Sequence, residues 1–344
     1  MLTLILVSIA MYFVVYLAPL DVRVDLFMPK NLGPHMTEDQ VARLRERITE
    51  KNHLNDTFFV QYWYWGKNFI ENQWGYSPSL QQYVLPAILS ESPVTIELTV
   101  CSLLLIVPLS LFSGMYAAHK KDRASDLLVR LLSSTTAYIP LFVMAYILLA
   151  LFYVNLRWAT LSSPDISGFV AKEGFHPYTG MSLLDGLLNG RLDIALNALR
   201  RLALPVLTIV ATQWAFLSRI IRNVTIEELQ KDYVLGAKAR GASQYQIFTK
   251  QILKNTSSVF LSNTAMSAAS IVTGVFVVER IFIIPGVSDI LFRHSSYTPD
   301  AVAVVGFAFY SVLLVLILML ILDVFNAAVN PLISREVTGG GDVE

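Results

Sequence analysis

Long apolar segments constrain the fold of this chain more than any other feature of its sequence. Six of them approach the length of about 20 residues that a helix needs to cross a membrane. They lie at about 2–20, 94–118, 127–154, 202–221, 258–279 and 301–325. Only 15% of the residues are charged, compared with about 25% in soluble domains. Because lipid offers backbone groups no hydrogen-bond partners, the sequence predicts an all-α integral membrane protein with about six transmembrane helices.

Proline positions predict where the spans begin and bend. Pro93 and Pro205 are expected in the first turns of the second and fourth spans, where a missing N–H costs little. Pro140 falls within the third span and predicts a kink there. The first segment lacks the basic start and the small-residue cleavage site of a signal peptide, so we expect it to be a retained span.

Basic residues in the short connections predict the orientation of the spans. Lys120, Lys121 and Arg123 follow the second span, and the 223–257 loop is also rich in lysine and arginine. These two loops, and with them both termini, are therefore expected on the cytoplasmic side. The tail at 336–344 contains a run of glycines and is expected to be disordered.

Two external segments follow from this orientation, a large one at 21–93 between the first two spans and another at 155–200. The first is expected to contain an amphipathic helix from Thr37 to Lys51, because Thr37-Glu38-Asp39-Gln40 matches a capping box. The aromatic run at 61–65 is typical of a belt at the membrane surface. The domains are therefore a first helix at 1–20, this external segment and a transmembrane domain at 94–335.

The residues that usually perform chemistry are not arranged for it in this sequence. The five histidines show no metal-ligand spacing, and no glycine loop ending in Gly-Lys-Ser or Gly-Lys-Thr is present to hold phosphate. The net charge of +0 gives no general attraction to nucleic acid, and the single Cys101 cannot form an internal disulfide. We expect no catalytic residue, no metal site and no cofactor in this chain.

Ionisable residues are scarce in the predicted spans. Glu97 is expected near the outer end of the second span and Asp323 near the inner end of the sixth. Because carboxylates at mid-membrane mark proton relays and ion-coupled carriers, their scarcity argues against that class of protein. The energy for any transport is then expected to come from another subunit.

The basic loop between the fourth and fifth spans predicts two short helices. Residues 225–240 have a helical pattern, and Gly241 allows the left-handed conformation that ends a helix. Ser243 can cap the next helix, whose apolar residues Ile247, Phe248 and Ile252 are expected to face a groove of one partner protein. On pattern alone, an ordinary amphipathic connector between two spans is equally compatible.

The same loop carries a family resemblance. Residues 232–241 reproduce the pattern Asp-Tyr-Val-x-x-Ala-x-Ala-x-Gly of peptide importers. Ala237, Gly241 and Leu253 fall in register with the EAA loop, by which the membrane subunits of ABC importers dock onto their ATPases. The chain departs from the EAA pattern at Leu235, Gly236, Gln251 and Lys254.

Two further segments extend the resemblance toward the C-terminus. Residues 278–287 contain Glu-x-x-Phe-x-x-Pro-Gly, and Asp323 with 330–333 is similar to a C-terminal signature. Together these motifs resemble the inner-membrane permease subunit of the dipeptide, oligopeptide and nickel family of ABC importers. The fold that this resemblance implies is that of a type I importer permease.

The resemblance implies partners and a place in the cell. The partners are a second homologous permease, two ATPase subunits that bind ATP and Mg²⁺, and an extracytoplasmic substrate-binding protein. The chain itself would be non-catalytic and would lie in the lipid bilayer of a bacterial or archaeal cytoplasmic membrane. The implied coupling residues are Asp232, Tyr233, Ala237, Ala239, Arg240, Gly241, Ser243 and Leu253.

The fifth span is the candidate wall of a solute path, because hydroxyl side chains recur along it. The resemblance also implies that the turn after the fifth span helps to form the outer gate of this path. The candidate pathway and gate residues are Ser267, Ser270, Thr273, Glu279, Pro285 and Gly286. The alternative for Glu279 and Arg280 is a charged pair that marks the water interface.

Two other functions remain open from the sequence. One is a membrane scaffold or receptor whose external segments bind a partner without transport, and the other is an ion-coupled secondary carrier. Co-purification with ATPase subunits separates a permease from a scaffold. Within the importer family, peptides, nickel complexes and oligosaccharides are all possible solutes, and a peptide is the one we expect.

Overall fold

The structure, a computed structural model, describes residues 2–25, 27, 28, 37–77, 79–157, 175–292 and 300–329. The helices and strands in chain order are α1 (Leu2–Tyr16), α2 (Leu20–Asp25), α3 (Glu38–Lys51), α4 (Phe58–Ile70), β1 (Tyr76–Ser77), β2 (Gln82–Tyr83), α5 (Val84–His119), α6 (Ala124–Ala137), α7 (Leu141–Leu148), α8 (Ser182–Leu188), α9 (Leu192–Leu229), α10 (Asp232–Ala239), α11 (Gln244–Ile247), α12 (Leu253–Met266), α13 (Ala268–Ile281), α14 (Asp289–Phe292) and α15 (Ala301–Val329). Helix α7 continues as a π-helical segment, Leu149–Asn155, and a second one, Phe248–Ile252, joins α11 to α12.

The chain divides into two compact units. The first comprises Met1–Pro93 and Pro285–Leu313, and the second comprises Val94–Ile284 and Leu314–Glu344. The predicted tail at 336–344 and the C-terminal signature at 330–333 lie outside the described residues, as do residues 158–174 of the predicted second external segment.

Aromatic side chains join α1 to α4 in the first unit. Tyr12 is buried, and its ring centroid lies 5.8 Å from that of Phe58 and 5.3 Å from that of Trp65. The hydroxyl of Tyr12 donates to Oε1 of buried Gln61 at 3.1 Å, and Arg23 Nη1 donates to the same oxygen at 2.7 Å. Because a buried amide is costly without partners, these contacts fix the position of α4 against α1.

Two predictions concern helices of this unit. The capping box is confirmed, because Thr37 is the N-cap of α3 and its N–H donates to Gln40 Oε1 at 3.1 Å. The aromatic run falls within α4, where Trp63 is exposed and Trp65 packs against the ring of Phe69. A surface belt therefore describes only part of that run.

Asp300 ties the β1–β2 hairpin to the start of α15. Its Oδ2 accepts hydrogen bonds from the hydroxyls of Ser77 and Ser79, both at 2.6 Å, and from the Ser79 N–H at 3.0 Å. Its Oδ1 accepts from the N–H of Ala303 at 3.1 Å, as expected for a helix cap. Burial alone would raise the pKa of Asp300, but these hydrogen bonds outweigh it and hold the pKa below its usual range.

Helix α9 lies at the centre of the second unit. It packs against α6, α7, α8, α12 and α13, and its buried residues belong to one large apolar core. Its crossing with α5 is close at Gly114, where a Cβ atom would lie 2.7 Å from the carbonyl oxygen of Ser218. No side chain can occupy that space without a shift of the backbone, so the close approach requires glycine.

Membrane-spanning helices are present, as the apolar segments predict. Among the described residues, α5, α9 and the part of α15 from Val302 are long and apolar enough to cross a membrane. The total rises to five if two bent pairs each form one span: α6 with the α7 segment, bent by 107°, and α11–α12 with α13, bent by 53°. Helix α1 has 15 residues, a length of about 22 Å against a hydrocarbon core of about 30 Å. A helical membrane protein is confirmed, and the count of six spans stays a prediction.

The prolines behave differently from the predictions at two of three positions. Helix α5 begins at Val84 and α9 at Leu192, so Pro93 and Pro205 lie inside helices and do not start them. Interior prolines are tolerated in apolar helices because neighbouring helices and polar side chains can satisfy the freed carbonyls. The kink at Pro140 is confirmed, since α6 ends at Ala137 and Pro140 is the N-cap of α7.

Candidate functional site

The predicted coupling loop folds into two helical pieces joined by a tight turn. Helix α9 ends at Leu229 and α10 begins at Asp232, so the prediction of one continuous helix over 225–240 is wrong. Lys231 is the reason, because its extended backbone, with ψ of 150°, interrupts the helical geometry. The segment therefore leaves the long helix before it reaches the residues that match the family pattern.

Gly241 and Ser243 form the turn that the sequence predicts. Gly241 has φ of +81°, in the left-handed region that favours glycine. Ser243 caps α11: its Oγ accepts from the N–H of Gln246 at 3.3 Å, and Gln246 Oε1 accepts from the N–H of Ser243 at 3.0 Å. Both local predictions are confirmed, and the two helices of the loop are held at a defined turn.

Helix α10 has one buried and one exposed face. Val234 and Ala237 are 0% and 2% exposed and belong to the apolar core of the second unit. The opposite side and the turn are exposed, and Leu235 is 54% exposed. We define the coupling face as the exposed residues Asp232, Leu235, Lys238, Ala239, Arg240, Gly241 and Ser243.

Three residues expected to contact a partner are instead buried in this chain. Ile247 and Ile252 are 2% and 0% exposed, and Ala237 lies in the same core. The expectation that Ile247 and Ile252 face a partner groove is wrong, because the core of the unit already covers them, and the coupling role of Ala237 stays a prediction. Phe248 and Leu253 are partly buried against that core. The buried and partly buried residues hold the loop against the core, and the coupling face remains exposed.

Two exposed residues beside the turn were missed from the sequence. Leu235 lies three residues after Asp232 and four before Ala239, so helical spacing places it on the same face. Tyr245, at the start of α11, is 78% exposed. Helical spacing alone could have placed Leu235 on the exposed face. It was passed over because it departs from the EAA pattern.

The three candidate pathway hydroxyls lie together in one groove of the second unit, with a volume of about 750 Å³. Gln213 of α9 reaches across it, and its Nε2 donates to Ser270 Oγ at 3.1 Å. The groove is lined by Ile139, Leu141, Phe142, Thr212, Gln213, Phe216, Met266, Ser267, Ala269, Ser270, Thr273, Gly274 and Val277. We call it the polar groove after its five polar side chains; the other eight lining residues are apolar, and none of the thirteen is charged.

Glu279 is entirely buried near the end of α13. Its Oε1 accepts a hydrogen bond from Thr95 Oγ1 at 2.6 Å. The alternative in which Glu279 marks the water interface is therefore wrong, although Arg280 is exposed. Pro285 is half-buried and Gly286 is buried. The contribution of Glu279, Pro285 and Gly286 to a gate stays a prediction.

A second carboxylate is also buried inside a helix. Glu97 is 3% exposed and lies within α5, whose 36 residues are longer than a membrane is thick, so its expected place near the outer end of the span stays a prediction. Its two oxygens accept from the N–H of Leu183 at 2.7 Å and of Ser182 at 3.2 Å, which caps the start of α8. The expectation that this chain is not an ion-coupled carrier stays a prediction.

A buried ion pair joins α6 to α9. Asp126 of α6 is 0% exposed and accepts from Arg222 of α9 through both oxygens, at 2.6 and 2.8 Å. Such bidentate pairs hold geometry well because two parallel hydrogen bonds fix the guanidinium plane. The residues are far apart in sequence, and no local pattern predicted the pair.

Comparison with known proteins covers most of the chain. Residues 107–335 match the family described as binding-protein-dependent transport system inner membrane component. The chain is 25% identical, over 96% of its length and 94% of the relative's, to a di/tripeptide transport system permease protein of Pseudomonas aeruginosa. It is 27% identical to a probable D,D-dipeptide transport system permease protein of Escherichia coli, over 86% of this chain and 85% of the other.

A third relative is also named as a peptide permease. It is a probable peptide ABC transporter permease protein of Sinorhizobium fredii, 27% identical over 75% of this chain and 74% of the relative. The family match includes α9, α10 and the polar groove, so it covers both candidate sites described above. This chain belongs to the family of inner-membrane components of binding-protein-dependent transport systems.

Proposed function

We propose that this chain is the permease subunit of an ATP-driven importer and forms part of the path along which peptides cross the membrane. The observation that carries the proposal is the family match over residues 107–335. Peptides are the proposed solute because three relatives of similar length are named as peptide or dipeptide permeases. The chain moves solute and makes or breaks no covalent bond.

Two features of the geometry support this function. The coupling face is exposed while the other side of α10 is packed in the core, which suits a helix that docks onto a partner and transmits force. The polar groove offers hydroxyl and amide groups without fixed charge. Such a surface suits peptides, whose backbones need hydrogen bonds and whose side chains vary in charge.

The proposed partners complete the machine. A second homologous permease supplies the other wall of the path, and an extracytoplasmic binding protein delivers the peptide. Two ATPase subunits bind the coupling faces and hold ATP and Mg²⁺, so this chain needs no cofactor. ATP-driven closure of the ATPases then rocks the spans between inward-open and outward-open states. The location is a bacterial or archaeal cytoplasmic membrane, with both termini in the cytoplasm.

Reconstitution in liposomes tests the proposal. The chain is inserted with its partner permease, ATPases and binding protein, and uptake of a labelled dipeptide is measured with ATP. We expect uptake that requires every component and stops when a non-hydrolysable ATP analogue replaces ATP. The same vesicles without ATP, under a proton or sodium gradient, provide the control.

Two outcomes would contradict the proposal. Uptake by this chain alone under an ion gradient would support an ion-coupled carrier and direct attention to Glu97 and Glu279. Binding of partners without any uptake would support a scaffold. The same vesicle experiment therefore distinguishes an importer permease from a carrier and from a scaffold.

A further inference from the structure

Three elements of the coupling region meet at one buried carboxylate. Glu228 lies in the last turn of α9, and its Oε2 accepts from the hydroxyl of Tyr233 in α10 at 2.5 Å. Asn255 of α12 donates through Nδ2 to the same oxygen and to the Tyr233 oxygen, both at 3.3 Å. The cluster therefore joins the helix before the coupling helix, the coupling helix itself and the helix after it.

The hydrogen bonds of the cluster compensate for the burial of the charged Glu228 side chain. The side chain of Glu228 is only 9% exposed, so an unpartnered charge there would be costly. Burial and the hydrogen bond to Glu228 raise the pKa of Tyr233 to about 12, so its hydroxyl is protonated and donates at neutral pH. Lys231 also reaches Glu228, but its side chain is 54% exposed, which limits its contribution.

The apolar contacts of α10 do not set its orientation by themselves. Val234 and Ala237 bury small apolar side chains, and contacts of this kind are non-directional. Hydrogen bonds to a carboxylate are directional and are stronger than those between neutral groups. The Glu228 cluster is thus the contact that fixes how α10 sits between α9 and α12.

We propose that Glu228, Tyr233 and Asn255 form a joint that locks the coupling helix to both flanking helices, so that displacement of α10 moves α9 and α12 together. The proposal rests on the proposed function, because only a coupled permease has such motion to transmit. The three residues are positioning residues: they act through α10 and lie behind the coupling face. Removal of the joint should let α10 move without its neighbours.

The variants Tyr233→Phe and Glu228→Gln test the joint. Tyr233→Phe removes one hydroxyl and keeps the ring, and Glu228→Gln keeps the shape and removes the charge. The matched control is Glu227→Gln, since Glu227 is the exposed neighbour on the same helix. Hydrogen exchange of the 232–239 amides is measured on the purified chain, and dipeptide transported per ATP hydrolysed is measured on the full complex in vesicles.

We expect both variants to exchange the α10 amides at least about tenfold faster than the control, because a hydrogen bond to a charged group is worth at least that factor in a local opening equilibrium. We also expect less dipeptide transported per ATP in both variants, with Glu227→Gln like the unmodified chain. Exchange and coupling ratios equal to the control in Tyr233→Phe would overturn the joint. Absence of ATP-driven uptake by the unmodified complex would instead refute the proposed function, while the exchange rates would still decide whether the cluster holds α10.

Discussion

Gly241 is the single residue whose backbone most restricts substitution in the coupling loop. Its φ is +81°, and a Cβ atom built there would meet no atom of this chain within 4 Å. Inside the chain, the restriction at Gly241 is therefore backbone strain and not crowding. A β-branched residue is least suited to positive φ, whereas asparagine tolerates it.

We predict that Gly241→Val weakens ATPase association and abolishes peptide-stimulated ATP hydrolysis, with normal membrane insertion. Gly241→Asn should retain most of the stimulation. The helical Gly236→Ala is the control, since its Cβ would come no closer than 3.4 Å to the flexible end of Arg240. Co-purification and ATPase assays on the three variants check this. Full peptide stimulation of ATP hydrolysis in Gly241→Val would show that Gly241 is not needed for contact with the ATPase.

Asp300 predicts a pH dependence within the first unit. Its pKa is lower in the folded chain than in an unfolded one, so its stabilising effect is present above about pH 4 and is lost as pH falls through the folded pKa. We expect amides of the 76–83 hairpin to lose protection from hydrogen exchange in acid, after correction for the intrinsic rate. Asp300→Asn should lack protection already at pH 7. Equal protection in the variant and the unmodified chain would contradict this role.

At the level of helices, Gly114 sets how closely α5 and α9 approach. A Cβ atom there would lie 2.7 Å from the Ser218 oxygen and 2.9 Å from the side chain of Ile221. We predict that Gly114→Ala lowers the free energy of unfolding by about 1–3 kcal/mol, a typical effect of overpacking. Gly66→Ala in α4 is the matched control, because its Cβ would meet nothing within 4 Å. Thermal unfolding in detergent measures both, and equal midpoints would show that the helices can separate without cost.

The bent pair α12–α13 matters for the proposed path because Ser267, the residue at the bend, lines the polar groove. Ser267 is the residue between the two helices, which meet at 53°. Ser270 and Thr273 are three residues apart on α13, so helical spacing places them on the same side, and Ser267 lines the same groove from the bend.

For the whole molecule, the polar groove predicts a transport defect without an assembly defect. Ser270→Trp should lower dipeptide uptake several-fold because the indole would obstruct part of the groove, while ATPase subunits still co-purify. Val259→Phe is the control, since Val259 is exposed on α12 and does not line the groove. Normal uptake in Ser270→Trp would show that peptides take another route.

The orientation of the molecule is tested by labelling with an impermeant thiol reagent. Single cysteines replace the exposed residues Glu46 and Lys238 in a Cys101→Ala background. On intact cells we expect labelling at 46 and none at 238 until the membrane is opened. Labelling at 238 from outside would invert the orientation and remove the coupling face from the ATPase side.

Local features were predictable because their causes are local. The capping box at Thr37, the break at Pro140 and the turn at Gly241 depend on a few neighbouring residues, and all three are confirmed. Long apolar segments likewise require helices in lipid whatever their neighbours are. The family pattern within 232–241 was sufficient to direct attention to the coupling loop.

Which side of each helix is buried was decided only by the tertiary structure. Ile247 and Ile252 look like contact residues in the sequence, but the core of the second unit covers them. Glu279 finds Thr95, and Asp126 finds Arg222, across large separations in the chain. The sequence by itself determined a helical membrane protein and the turn at Gly241, since apolar length and backbone preference act locally. Burial and pairing came from the fold, because they depend on which distant residues packing brings together.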